Sequence, residues 1–281
     1  MTTRDGASRR IEGGGSVLAY SEAGAGTPLV LLHGIGSAAR AFDDQLAGLS
    51  DRLRVIAWDA PGYGGSTCLA PESPRANDYA AALGAMLDAL GIPACHLVGH
   101  SLGTLIAASF AADHPERILS LTLASVAAGQ ARLPAAEREK ALAQRLGDVV
   151  ELGPRRMAEQ RGPRLLASTA TPAMLRRVVE TMAAVRPDGF SQAARMLASG
   201  DIKADIPRLP AEMPVQFLYG DADVITPPAR NLEVAALRPT APVHVVMGAG
   251  HAVYLERPEM FNTILSDFIA RLEGIRSQDE R

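Results

Sequence analysis

The stretch VGHSLGTL, residues 98–105, sets a serine between two glycines, each two residues away. Its flanks decide the fold. His96-Leu97-Val98 is a short apolar run after Gly91-Ile92-Pro93, the pattern of a buried strand. After Ser101, Leu102, Leu105, Ile106 and Ser109-Phe110 recur at helical spacing, until Asp113-His114-Pro115 closes the helix. Ser101 is therefore expected at a sharp strand-to-helix corner. Gly99 and Gly103 remove the side chains that would collide there. Such a corner lifts the serine oxygen clear of a sheet and over a helix N-terminus, whose free N–H groups suit a developing oxyanion. A tight turn with a capping serine is the plainer reading of the motif alone, and the strand and helix flanks count against it.

Similar apolar runs recur along the chain. Pro28–Gly34, Arg54–Asp59, Leu119–Ala124, Pro214–Gly220 and Pro242–Met247 are near-continuous, and two shorter runs flank Gly13-Gly14-Gly15 within residues 9–22. Helical patterns lie near 76–90, 102–113, 228–237 and 258–273. Continuous apolar strands alternating with helices predict an α/β fold, its parallel sheet covered on both faces. The rhythm breaks from about Ala128 to Leu209, where Ala-, Arg- and Leu-rich helical sequence carries no convincing strand. The expected organisation is a core domain from 1–127 and 210–281, interrupted by a helical insertion over 128–209.

Composition narrows the function. The 281 residues carry a net charge of −3, with no basic excess that would suit nucleic acid. No stretch approaches about 18 consecutive apolar residues, and the N-terminus shows no apolar signal run. Cys68 and Cys95 are too few for a disulfide framework. A cytoplasmic protein acting on a small molecule is expected, without nucleic acid or membrane as partner. Self-association is left open. Charge is uneven: residues 131–210 hold 14 Arg and Lys against 9 Asp and Glu, the remainder 14 against 22. Solvated helix faces are the plain explanation. The alternative is an arginine aimed at an anionic substrate, with Arg195 in the helical stretch Phe190–Leu197 as first candidate.

A serine hydroxyl needs a base, and the base needs a carboxylate to fix its tautomer. His251, in GAGHAVY directly after the last apolar run, sits where an open α/β sheet places its site. His33 and His100 lie in tight motifs and are expected to shape loops. His96 and His244 fall within strands and His114 at a helix end. The acid should follow the preceding strand, in Gly220-Asp-Ala-Asp-Val-Ile-Thr-Pro227. Asp221 and Asp223 compete there; Asp223, two residues further into the loop, is preferred. Two backbone N–H groups, of Leu102 and of Ile35 in His33-Gly-Ile-Gly36, are the expected oxyanion donors.

LLHGIG, DAPGYGGS, GHSLG, GDADVITP and GAGHAVYLERPE together resemble the α/β-hydrolase family nearly end to end. The resemblance implies an eight-stranded, mostly parallel sheet with a helical cap over residues 128–209. It gives Asp59–Ser66 to a structural turn without a catalytic role. Thr104 stands where many members have a second glycine. Ser101, where an aspartate would stand, argues against the dehalogenase and epoxide hydrolase branches. The chain looks most like carboxylesterases, enol-lactonases and ring-cleavage-product hydrolases. The expectation is a serine hydrolase of a small ester or lactone, working through an acyl-enzyme with Ser101, His251 and Asp223 and needing neither cofactor nor metal. Two other readings stand beside it. One is a carbon–carbon bond hydrolase, weakened because Ala252, Val253, Tyr254 and Leu255, and no tryptophan, follow His251. The other is a non-enzymatic receptor on the same fold, for which an intact Ser–Asp–His set would have no use.

Overall fold

In a computed structural model describing residues 8–279, eight strands form one sheet. They are β1 (Arg9–Gly13), β2 (Ser16–Ala23), β3 (Thr27–Leu32), β4 (Leu53–Asp59), β5 (Cys95–His100), β6 (Ile118–Ala124), β7 (Val215–Gly220) and β8 (Val243–Val246). The spatial order is β1-β2-β4-β3-β5-β6-β7-β8. β1 pairs with β2, and β2 with β4, antiparallel; every other pairing is parallel. Residues 1–7, part of the stretch read for a signal run, lie outside the described residues.

The helices are α1 (Asp43–Leu49), α2 (Ala76–Ala89), α3 (Leu102–Asp113), α4 (Ala135–Gly147), α5 (Gly153–Arg161), α6 (Pro172–Ala183), α7 (Pro187–Ser199), α8 (Ile202–Asp205), α9 (Pro228–Ala235), α10 (Val253–Glu256) and α11 (Pro258–Asp279). Side-chain alternation along the strands splits the core in two. Val30, Leu32, Ile56, Trp58 and Leu97 face α2, α3 and α9. Leu29, Leu31, Val55, Ala57 and Val98 face α1, α10 and α11. With both faces covered, every position of β5 and β7 is buried, which is why these strands read as mostly apolar runs without polar alternation. Helix α3 is buried from Leu102 to Ala111, with Thr104 and Ser109 the polar positions in an otherwise apolar helix.

Between β6 and β7 the chain forms helices α4–α8. The insertion leaves and returns through one neck. Gly129 bridges Asp201, and the N–H of Ile202 donates to Ala128 O at 3.2 Å. Helix α8 and the turn at Ile206–Arg208 lie past that neck and pack against α3. Helix α7 meets the core where Gly189 abuts the turn after β4. A Cβ on Gly62 would lie 2.5 Å from Gly189 Cα, and one on Gly189 would overlap Gly62 O. Among the described residues no helix is long and apolar enough to cross a membrane.

Candidate active site

β5 delivers the chain to Ser101, and α3 begins one residue later. Ser101 sits at φ 52°, ψ −117°, a region that a side chain with a Cβ seldom occupies. Several hydrogen bonds hold it there. Its N–H donates to Ala124 O at 2.9 Å, and the Thr104 N–H donates to Ser101 O at 2.9 Å. The Thr104 hydroxyl donates to that same carbonyl at 2.6 Å and accepts the Ala127 N–H at 3.2 Å. Thr104, the departure from the family pattern, thus ties the corner to the exit of β6. The two glycines are required by contact: a Cβ on Gly99 would lie 2.5 Å from Gly103 O, and one on Gly103 would collide with Leu32 O.

The loop after β3 passes over the serine, and a Cβ on Gly34 would come within 2.9 Å of Ser101 Cβ. His33 shapes this loop. Its Nε2 accepts the Ala60 N–H at 3.0 Å, so its Nδ1–H donates to Gly34 O at 2.8 Å. Burial lowers the His33 pKa, against the opposing pull of the Gly34 carbonyl and Asp59. Asp59 and Ser66 are turn residues: Asp59 Oδ1 accepts the Ala39 N–H at 2.8 Å, and the Ser66 hydroxyl donates to Asp59 O at 2.6 Å.

The two candidate aspartates separate cleanly. Asp221 Oδ1 accepts the N–H groups of Gly248 and Ala249, at 2.6 and 3.3 Å, and so closes the turn after β8. Asp223 Oδ2 accepts from His251 Nδ1 at 2.8 Å. The same oxygen takes the Thr226 hydroxyl at 2.8 Å, while Oδ1 takes the N–H groups of Ile225 and Thr226 at 2.8 and 2.9 Å. Burial opposes the carboxylate's charge, but the His251 and Thr226 hydrogen bonds outweigh it and hold the pKa below the usual aspartate value. With Nδ1 donating to Asp223, neutral His251 keeps Nε2 as an acceptor. His100 fixes the backbone at this point, its Nε2–H donating to His251 O at 2.8 Å. Burial, reinforced by His251, drives the His100 pKa down to about 3.

Ser101, His251, Ile35 and Leu102 all line one cavity of about 180 Å³. Arg195 does not. Its Nη2 donates to Glu72 Oε1 at 3.0 Å, and its side chain lines a separate surface groove with Ser73 and Arg138. The amphipathic pattern of α7 placed Arg195 on a helix, but its small buried residues face the core and turn Arg195 to the far side. Sequence reading missed Thr226 and Glu256. Buried Glu256 accepts the Ala167 N–H from the insertion and the Gly250 N–H beside His251, both at 2.7 Å. A threonine after a Val-Ile pair and a glutamate in α10 carry no local signal; only the fold brings them to the histidine. Among the described residues no group of three or more His, Cys, Asp or Glu side chains is placed to hold a metal ion.

Residues 27–258 match the family model of the alpha/beta hydrolase fold, and the chain belongs to that family. It is 31% identical to the dihydrolipoyllysine-residue acetyltransferase component of an acetoin cleaving system from Pseudomonas putida, over 94% of this chain and 70% of that protein. It is 30% identical to a 2-(acetamidomethylene)succinate hydrolase of Mesorhizobium japonicum, over 93% of this chain and 95% of that one. A thermophilic esterase from Thermogutta terrifontis, solved with malate bound, superposes with a TM-score of 0.85 at 25% identity, covering 95% and 99% of the two chains.

Proposed function

We propose that this chain hydrolyses a small ester or lactone through an acyl-enzyme on Ser101. The observation that carries this reading is the 2.8 Å contact of Asp223 with Nδ1 of His251, a histidine that lines the same cavity as a serine held at φ 52°. Ser101 Oγ attacks the substrate carbonyl while His251 Nε2 takes its proton. Asp223 holds the imidazole in that tautomer and stabilises the imidazolium. The tetrahedral oxyanion is received by the N–H groups of Leu102, in the first turn of α3, and Ile35. His251 then returns the proton to the leaving alcohol or ring oxygen. Water, deprotonated by the same nitrogen, releases the acid and restores Ser101. The insertion over 128–209 acts as a cap closing the cavity. The hydrolase names of the Mesorhizobium and Thermogutta relatives support the class of reaction, and the free thiols Cys68 and Cys95 suit a reducing cytoplasm.

A fluorophosphonate probe and a short 4-nitrophenyl ester test the reading. The probe is expected to label Ser101, and Ser101→Ala should lose about 10⁶-fold in turnover while keeping its fold. An unlabelled serine, or a Ser101→Ala protein that retains a few per cent of activity, overturns it.

A further inference from the structure

Six arginines line the cavity that holds Ser101 and His251: Arg40, Arg145, Arg161, Arg164, Arg177 and Arg230. No aspartate or glutamate lines it among the described residues. Two of the six are paired with carboxylates and three others are exposed to water. Arg161 is held by Asp148, and Arg177 Nη1 donates to Asp44 at 2.8 Å. Arg40 Nε donates to Thr181 at 3.2 Å. Arg164 and Arg230 are exposed, where water screens them.

Arg145 differs. It lies half-buried in the last turn of α4, and no carboxylate stands within ion-pair distance of it among the described residues. Among the described residues its acceptor is Ala141 O, 3.0 Å from Nη1, in its own helix. The neighbouring carboxylate, Asp148, opens the π-helical turn that follows α4 and is already committed to Arg161. One carboxylate, bonded to Arg161 alone, thus stands beside two guanidinium groups in a partly desolvated wall. Burial and Arg161 both push the Arg145 pKa down, while Asp148 pulls it up. The group remains charged. An unanswered cation out of water is costly, and an incoming anion relieves that cost. A second unsatisfied group lies in the same lining: Gln130 Oε1 is buried without a partner among the described residues, and its amide can turn to donate.

We propose that Arg145 is a carboxylate subsite, so that the ester or lactone cleaved at Ser101 carries a free carboxylate that this guanidinium receives. The inference rests on the serine-hydrolase reading and adds the substrate class to it. A planar fork of donors matches a carboxylate in two parallel hydrogen bonds, which a lysine does not reproduce. The net positive lining also draws anionic substrates toward the serine.

The test compares kcat/KM for the 4-nitrophenyl half-ester of adipic acid and for its methyl-capped counterpart. It uses the full chain, Arg145→Ala, Arg145→Met and Arg145→Lys, with Arg195→Ala as control. Fluorophosphonate labelling of Ser101 is run on each as a check of the fold. Wild type is expected to prefer the acid, and Arg145→Ala and Arg145→Met to lose that preference by about ten- to a hundredfold, mostly in KM. Arg145→Lys should recover only part, and Arg195→Ala should behave as wild type. If Ser101 is labelled but wild type prefers the neutral ester, or Arg145→Ala keeps the preference for the acid, the subsite is wrong and the serine-hydrolase reading stands. If wild-type Ser101 is not labelled, that reading falls and the subsite falls with it.

Discussion

Acidifying this protein from pH 7 to pH 5 is expected to remove about 2 kcal/mol of folding stability through His100 alone. His100 is buried in the wall of the cavity, its Nε2–H engaged by His251 O and its Nδ1 without a partner among the described residues. A second proton, on Nδ1, would find no acceptor there, and burial holds the pKa near 3 against an ordinary value of 6.5. Between those limits the unfolded chain binds a proton at this histidine and the folded protein does not. Stability therefore falls as pH falls, at up to about 1.4 kcal/mol per pH unit per histidine. His33 acts in the same direction, while Glu256, whose burial raises its carboxyl, works against the trend in the lower part of the range. The assay is the urea midpoint at pH 7 and pH 5, with the slope of the transition checked for constancy. His100→Gln keeps an N–H donor near Nε2 but cannot titrate. Whatever its stability at pH 7, its loss on going to pH 5 should be smaller than that of wild type by about 2 kcal/mol. Equal losses in the two proteins, or a wild-type midpoint flat across this range, would refute the argument.

Asp223→Asn is expected to lower kcat by about 10⁴, because the amide favours the wrong imidazole tautomer. Asp221→Asn should instead cost about 1–2 kcal/mol of stability and little activity, since its carboxylate serves two backbone N–H groups of a turn. Steady-state kinetics beside urea melts separate the two, and a reversed ranking would assign the acid to Asp221. Gly103→Ala should lose about 3 kcal/mol or more, or fail to fold, because the added methyl meets the Leu32 carbonyl, which cannot step aside. A wild-type urea midpoint for Gly103→Ala would show that the corner is looser than its geometry says.

The sheet was legible because its strands are buried on both faces. β3, β4, β5, β6 and β7 announce themselves as apolar runs, and α2, α3, α9 and α11 as helical spacing between them. Helix α1 went unread, since DDQLAGL is too short to show a period and is defined by packing against α11. Around the site, local motifs with steric reasons were readable: the glycines flanking Ser101, and Asp223 two residues beyond the turn. Arg195 was misplaced because helical pattern fixes which residues share a face, while the direction that face points is set by the docking of α7 on the core. Thr226, Glu256 and Arg145 come to the site from positions 30 to 111 residues apart in the chain, and no short motif records such a meeting.

The contact between Gly62 and Gly189 constrains how this protein could change its substrate. Positions 127 apart in sequence exclude each other's side chains, and shrinking one cannot make room at the other because both are already minimal. Helix α7 is therefore docked backbone to backbone on the turn after β4, and neither partner can be redrawn alone. Helices α4 to α6 have no such glycine-to-glycine lock on the core among the described residues. New specificity is easiest to graft on α4, which carries Arg145, because α7 is held at Gly62 and the segment between α5 and α6 is held at Leu165 and Ala167 by Ala252 and Glu256.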